Sequence, residues 1–230
     1  MSIRVGLYDF FAYTLPGIFY LLIITFWVNT LGLLAIDFSI LKDFSLEVLF
    51  AMIGAGYIIG LLIDEVSYRW IRLFQKSNTE AKKAAYDEFT ERHPWVTLKY
   101  DAKDWGILLR AVKSVSMDAA ADVEQHNVAS IMLRNISFAF VLCLISSVIY
   151  FLFVFSDLWV LGLGFLFLTM AILARRRSRI RRHWFYIGVF EAFTAHFLLD
   201  SQANKEKVKE KSNESLSKPS RKVTVEKKRV

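Results

Sequence analysis

Between Asn135 and Ala174 the chain runs for forty residues with Asp157 as its single formal charge, and the run ends in RRRSRIRR at Arg175 to Arg182. A helix rises about 1.5 Å per residue and the hydrocarbon core of a bilayer is about 30 Å thick, so the stretch is too long for one crossing and fits two. The break falls at Ser156-Asp157, which predicts spans over Asn135–Phe155 and Leu158–Ala174 joined as a tight hairpin. Two more apolar runs, Thr14–Ile36 and Phe44–Ile63, bring the total to four. The second of these is the weakest: its uncharged core, Val48–Ile63, has sixteen residues and needs Phe44 to Leu46 to reach full length. The first lies too close to Met1 and is too long for a secretory signal, has no small-residue cleavage site, and reads as a retained span.

Polar sequence separates the spans unequally. The insert 64–134 is the one sizeable polar segment, near the lower size for a core that folds unaided. Its first part, Glu65–Lys76, sets Val66, Trp70, Leu73 and Phe74 on one face and Arg69, Arg72 and Lys76 on another, predicting that span two continues as an amphipathic helix. Ser77 and Glu80 have capping-box spacing and open a polar helix that Pro94 stops. Trp95–Tyr100 reads as a short extended piece without a partner strand. Trp105, Leu108, Leu109, Val112 and Val115 then repeat at helical spacing, and no Pro or Gly interrupts Ile107 to Leu161. One or two helices should therefore feed almost directly into span three. Past the arginines, Tyr186, Phe190, Phe193 and Phe197 form an apolar stripe on a segment too short for a span, predicting an interfacial helix; packing of that helix under the insert fits equally well.

Charge sets the orientation. The loop Asp37–Glu47 carries Asp37, Asp43 and Glu47 against Lys42, while Arg4, Arg69, Arg72, Arg134 and the arginine run fall on the other side. The positive-inside rule then predicts both termini in the cytoplasm of a cell whose inner membrane holds the protein. Hydrophobic residues make up 55% of the chain, which suits a membrane protein with a polar part. The expected fold is an all-α integral membrane protein, divided as a first transmembrane pair (1–63), a mainly helical cytoplasmic insert (64–134), a transmembrane hairpin (135–174), a basic run with an amphipathic interfacial helix (175–200) and a tail (201–230). The tail holds ten Lys or Arg against four Glu and few large apolar residues, so it reads as disordered and solvated, or as lying near anionic lipid.

Candidate chemistry is sparse. The histidines, His93, His126, His183 and His196, have no metal-site spacing, and Asp118, Asp122, Glu124 and His126 read as a solvated helix face. No P-loop, dinucleotide turn or GxSxG elbow is present, so no catalytic residue, metal or cofactor is assigned, and no clear nucleic-acid site. Cys143, the one cysteine, reads as a small apolar packing residue in span three. Asp9 reads as a helix cap or a partner of the arginine run. The polar residues within the spans, Asn29, Thr30, Ser146, Ser147 and Thr169, include no ionised group, which weakens an ion-coupled transporter. The residues singled out are Arg175, Arg176, Arg177, Arg179, Arg181 and Arg182, for lipid head groups or an anionic ligand, and Gly54, Gly56 and Gly60, for helix packing. Gly56 and Gly60 form a GxxxG pair suited to contact within the chain or between copies.

The segments YDFFAYTLPG and RRHWFYIGVFEAF, together with the four-span layout, resemble small uncharacterised prokaryotic membrane proteins, some of which serve as membrane effectors in anti-phage defence. The resemblance implies an oligomer that disrupts or depolarises the inner membrane when a cytoplasmic signal arrives. The leading expectation is thus a non-enzymatic homo-oligomeric pore gated by a cytoplasmic protein or an anionic small molecule. A membrane anchor or scaffold comes second, and a transporter or membrane enzyme third.

Overall fold

In a computed structural model, which describes residues 3–33, 46–73, 78–96, 99–154 and 157–198, all the regular structure is helical. Helix α1 spans Ile3–Thr30, α2 Leu46–Leu73, α3 Asn78–Arg92, α4 Trp105–Val115, α5 Met117–Phe153 and α6 Leu158–Phe193. A 3₁₀ turn, Ala102–Asp104, precedes α4, and a π turn, Thr194–Leu198, ends the described chain. Four helices, α1, α2, α5 and α6, are long and apolar enough to cross a membrane, so by length and composition the chain is a multi-pass membrane protein. The loop Asp37–Glu47 up to residue 45, the Ser77 cap and the tail lie outside the described residues.

Local chemistry explains where these helices stop. Gly32 sits at φ 66°, and the bonds Gly32 N–H to Asn29 O and Leu33 N–H to Val28 O close α1 in the left-handed cap that glycine favours. The hairpin break falls where the charge pattern put it: α5 ends at Phe153, and α6 begins after Asp157, whose extended backbone forms its N-cap. Only one residue separates α4 from α5. Ser116 leaves helical geometry there, and its Oγ accepts the Ala119 amide, so a serine cap restarts the chain with no Pro or Gly needed. From there α5 runs 37 residues, roughly 55 Å at the helical rise, well beyond the thickness of a hydrocarbon core.

The helices form two bundles that share α5 and α6. In the apolar bundle α2 packs on α1, both pack on α5, and α6 packs along the length of α5. Contact between α1 and α2 is backbone-close: a methyl added at Gly17 would lie 1.7 Å from the Gly56 carbonyl oxygen, and one at Gly60 would lie 2.0 Å from that of Tyr13. The α5–α6 seam uses small residues seven apart, the spacing at which two helices keep one face together. Ser130 and Ser178 bond reciprocally to each other's carbonyls, at 3.0 and 2.8 Å, and Ser137 donates to Ala171 O at 2.8 Å. Gly164 lies one further repeat along, against Leu144.

The second bundle decides between two alternatives and corrects one expectation. Residues 184–198 do not form a separate interfacial helix; α6 continues unbroken through the arginine run, and its end becomes the centre of a core with α3, α4 and the start of α5. Phe185, Tyr186, Ile187, Val189, Phe190 and Phe193 are buried there with Phe89, Leu108, Val112 and Val123. The aromatic stripe was correctly placed on one face, but α3 and α4 supply the apolar surface that a bilayer would otherwise have supplied. Phe89 meets Phe190 at 5.7 Å, and Trp105 meets both Phe185 and Tyr186 at 5.5 Å. The correction concerns the end of α2. Trp70 packs on Phe138, but Val66 is 51% exposed, because the face turned to α5 is chosen by Asp64 and Ser67 and their hydrogen bonds. Leu73 and Phe74 have no described side chains.

Candidate functional site

Where the two bundles meet, α2 and α5 bring together a polar group at the ends of the second and third apolar runs. Arg134 Nη2 contacts Asp64 Oδ1 at 2.5 Å, and Asn135 Nδ2 donates to the same oxygen at 2.8 Å. Ser67 Oγ donates to Asn135 Oδ1, and from α1 the Tyr20 hydroxyl donates to Asn135 O at 2.7 Å. The Tyr68 ring lies 5.3 Å from the Arg134 guanidinium carbon, and half-buried Arg182 brings α6 within electrostatic reach of Asp64, Arg134 and Tyr68. All four long helices are joined at this level.

Burial makes the group consequential. The Arg134 side chain is 6% exposed and that of Asp64 26%, while Ser67 and Asn135 are fully buried. A buried charge is tolerated when it is paired and hydrogen-bonded; Arg134 meets this through Nη2, while its buried Nε has no hydrogen-bond partner among the described residues. Asp64 accepts two donors through one oxygen, and these bonds position α2 against α5. Sequence reasoning used Arg134 as a topology signal and Asp64 as a span boundary. The missed signal was Arg134-Asn135 standing at the same membrane level as Asp64 on an antiparallel neighbour.

The arginines divide into two sets. Arg176, Arg177 and Arg179 are exposed on α6, whereas Arg175, Arg181 and Arg182 are half-buried. Arg181 Nη1 lies 3.2 Å from His126 Nδ1, a contact between α6 and α5. The run is therefore not one uniform basic patch. The glycines divide as well: Gly56 and Gly60 face α1, and Gly54 has nothing within 4 Å of an added methyl.

The acidic grouping on α5 also separates in space. Asp118 and Asp122 are exposed, Glu124 pairs with Lys113, and no group of three metal-binding side chains occurs among the described residues. Asp9 lies inside α1 rather than in its first turn, so capping is not its role; its side chain is outside those described. In the second bundle, His183 Nε2 lies 2.5 Å from Glu88 Oε2, and this hydrogen bond holds the Glu88 carboxyl below its ordinary range. The pair ties α3 to α6 at the rim of the aromatic core. No family model matches the chain, and neither does any curated protein or solved structure.

Proposed function

We propose that this protein is a non-enzymatic inner-membrane effector with both termini in the cytoplasm, in which binding of a protein or an anionic small molecule to the second bundle is carried into the membrane helices. The observation that supports this reading is the continuity of α5 and α6, which contribute both to the aromatic core and to the apolar hairpin with no break between them. A tether needs one helix and a flexible joint. Here α5 and α6 belong to both bundles and the buried Asp64–Arg134 pair holds α2 to α5 where the bundles meet, so displacement of one bundle is carried to the other. The exposed Arg176, Arg177 and Arg179 fit anionic head groups, each basic residue near such a surface contributing roughly 1 kcal/mol.

An oligomeric pore in anti-phage defence is the output that the sequence resemblance implies. Its opening must involve rearrangement or assembly, because the outward faces of the spans are apolar. Leu49, Phe50, Ile58 and Leu62 on α2 and Phe165, Leu166 and Ile172 on α6 are exposed, while Ser137, Ser147 and Thr169 bond to helix carbonyls. That same apolar surface favours the second reading, a membrane scaffold for a cytoplasmic partner.

Induced expression with a membrane-potential dye separates the two. Depolarisation is expected from the effector, and an unchanged potential with protein present in the membrane fraction selects the scaffold. Topology is tested in a Cys143→Ala background: a cysteine at Lys42 should react with a membrane-impermeant reagent in intact cells, and one at Ser201 should not. The reverse pattern overturns the orientation.

A further inference from the structure

Helices α1 and α6 both lie against α5, and between them lies an open cleft of about 680 Å³ in the apolar bundle. That volume is within the range of small-molecule sites, and its lining is apolar and aromatic with few polar groups, as in such sites. The cleft follows α5 from Phe140 to Tyr150 and α6 from Asp157 to Phe167. Ten residues of helix rise about 15 Å, which is half of a hydrocarbon core about 30 Å thick. Phe140 and Phe167, stacked at 6.2 Å, line its deep end, with Phe19 against Phe140 at 6.0 Å. A neighbouring transmembrane helix would need a groove of full membrane depth. This one has the depth of a single leaflet.

Its polar groups are distributed to match. Ser146 Oγ accepts the Trp27 indole N–H at 2.7 Å and Ser147 Oγ donates to Cys143 O at 2.9 Å, so the serines along the wall are satisfied within the protein. At the mouth stands Asp157, exposed, with a carboxylate that makes no capping bond to α6, beside Trp159. Tryptophan beside a charged group is the composition of a membrane interface. An anionic head group at this mouth is repelled and an ammonium is attracted.

We propose that the cleft holds an acyl chain of one phospholipid whose ammonium-bearing, ethanolamine-type head group pairs with Asp157. The site rests on the membrane reading of the four helices, and it depends on the proposed orientation only for naming the outer leaflet as the source. Reversed cysteine labelling would move the site to the inner leaflet and leave it otherwise intact.

The test uses the full chain in mild detergent, exposed to vesicles of equimolar phosphatidylethanolamine and phosphatidylglycerol and read by native mass spectrometry. One retained lipid per chain is expected, the ethanolamine lipid enriched about threefold, the scale of an exposed ion pair. Asp157→Asn keeps the size of the side chain and the retained lipid but removes the charge and brings the two lipids to parity. Cys143→Trp fills the wall of the cleft and abolishes retention. In the unaltered protein, whose fold is not in question, alkylation of Cys143 by a membrane-permeant maleimide should slow when lipid is restored to delipidated protein. Absence of retained lipid, equal retention of both lipids by the unaltered chain, or a Cys143 rate indifferent to lipid overturns the assignment; so does a dimer joined through this cleft with no lipid.

Discussion

Gly60→Leu is expected to destroy the packing of α1 on α2, whereas Gly54→Leu, six residues earlier on the same helix, leaves stability nearly unchanged. The difference lies in what each new side chain meets. At Gly60 the first added carbon would sit 2.0 Å from the Tyr13 carbonyl oxygen and 2.7 Å from its carbon, and backbone cannot rotate aside as a side chain can. At Gly54 nothing lies within 4 Å. Overpacking usually costs about 1–3 kcal/mol, and backbone on both sides puts Gly60→Leu at or above the upper end of that range. Thermal unfolding in detergent checks the contrast. Equal transitions for the two variants would mean that α1 and α2 do not approach as described. If Gly56 and Gly60 served mainly to join copies of the chain, Gly60→Leu would change the native mass while the monomer kept its unfolding temperature.

Asp64→Ala should be the most damaging single change at the boundary, with a loss of about 3–5 kcal/mol, because it strands a buried guanidinium and removes the acceptor from Asn135. Arg134 retains the Tyr68 ring, 5.3 Å away, which is a weak replacement for a carboxylate. Combining Asp64→Leu with Arg134→Met removes both charges and is expected to recover most of the loss, since the cost comes from the unmatched partner rather than from the missing attraction. Denaturant titration in detergent gives the three values. A double variant no better than Asp64→Ala would show that the two side chains are not energetically coupled. If the junction also transmits motion between bundles, the double variant restores stability without restoring depolarisation by an effector.

Several features were legible in one dimension. Length and hydropathy located four helices long and apolar enough to cross a membrane and the break before Asp157, since a helix in hydrocarbon must be apolar over a minimum length and must stop where charge accumulates. Periodicity likewise found the α4 face on which Leu108 and Val112 are fully buried. Periodicity identifies a face but not what covers it. The stripe Tyr186, Phe190, Phe193 and Phe197 has the same spacing whether lipid or protein lies against it, and tertiary structure decided for protein by placing α3 and α4 there. The GxxxG spacing set Gly56 and Gly60 apart but not what they meet, and α1 lies against both. The seven-residue recurrence of Ser130 and Ser137 against Ala171 and Ser178 was readable in each helix separately, yet it becomes a seam only when the hairpin brings the helices together in antiparallel register. Asp64 and Arg134 lie 70 residues apart. A pairing at that distance is determined by the three-dimensional path of the chain, because no local preference of either residue selects its partner.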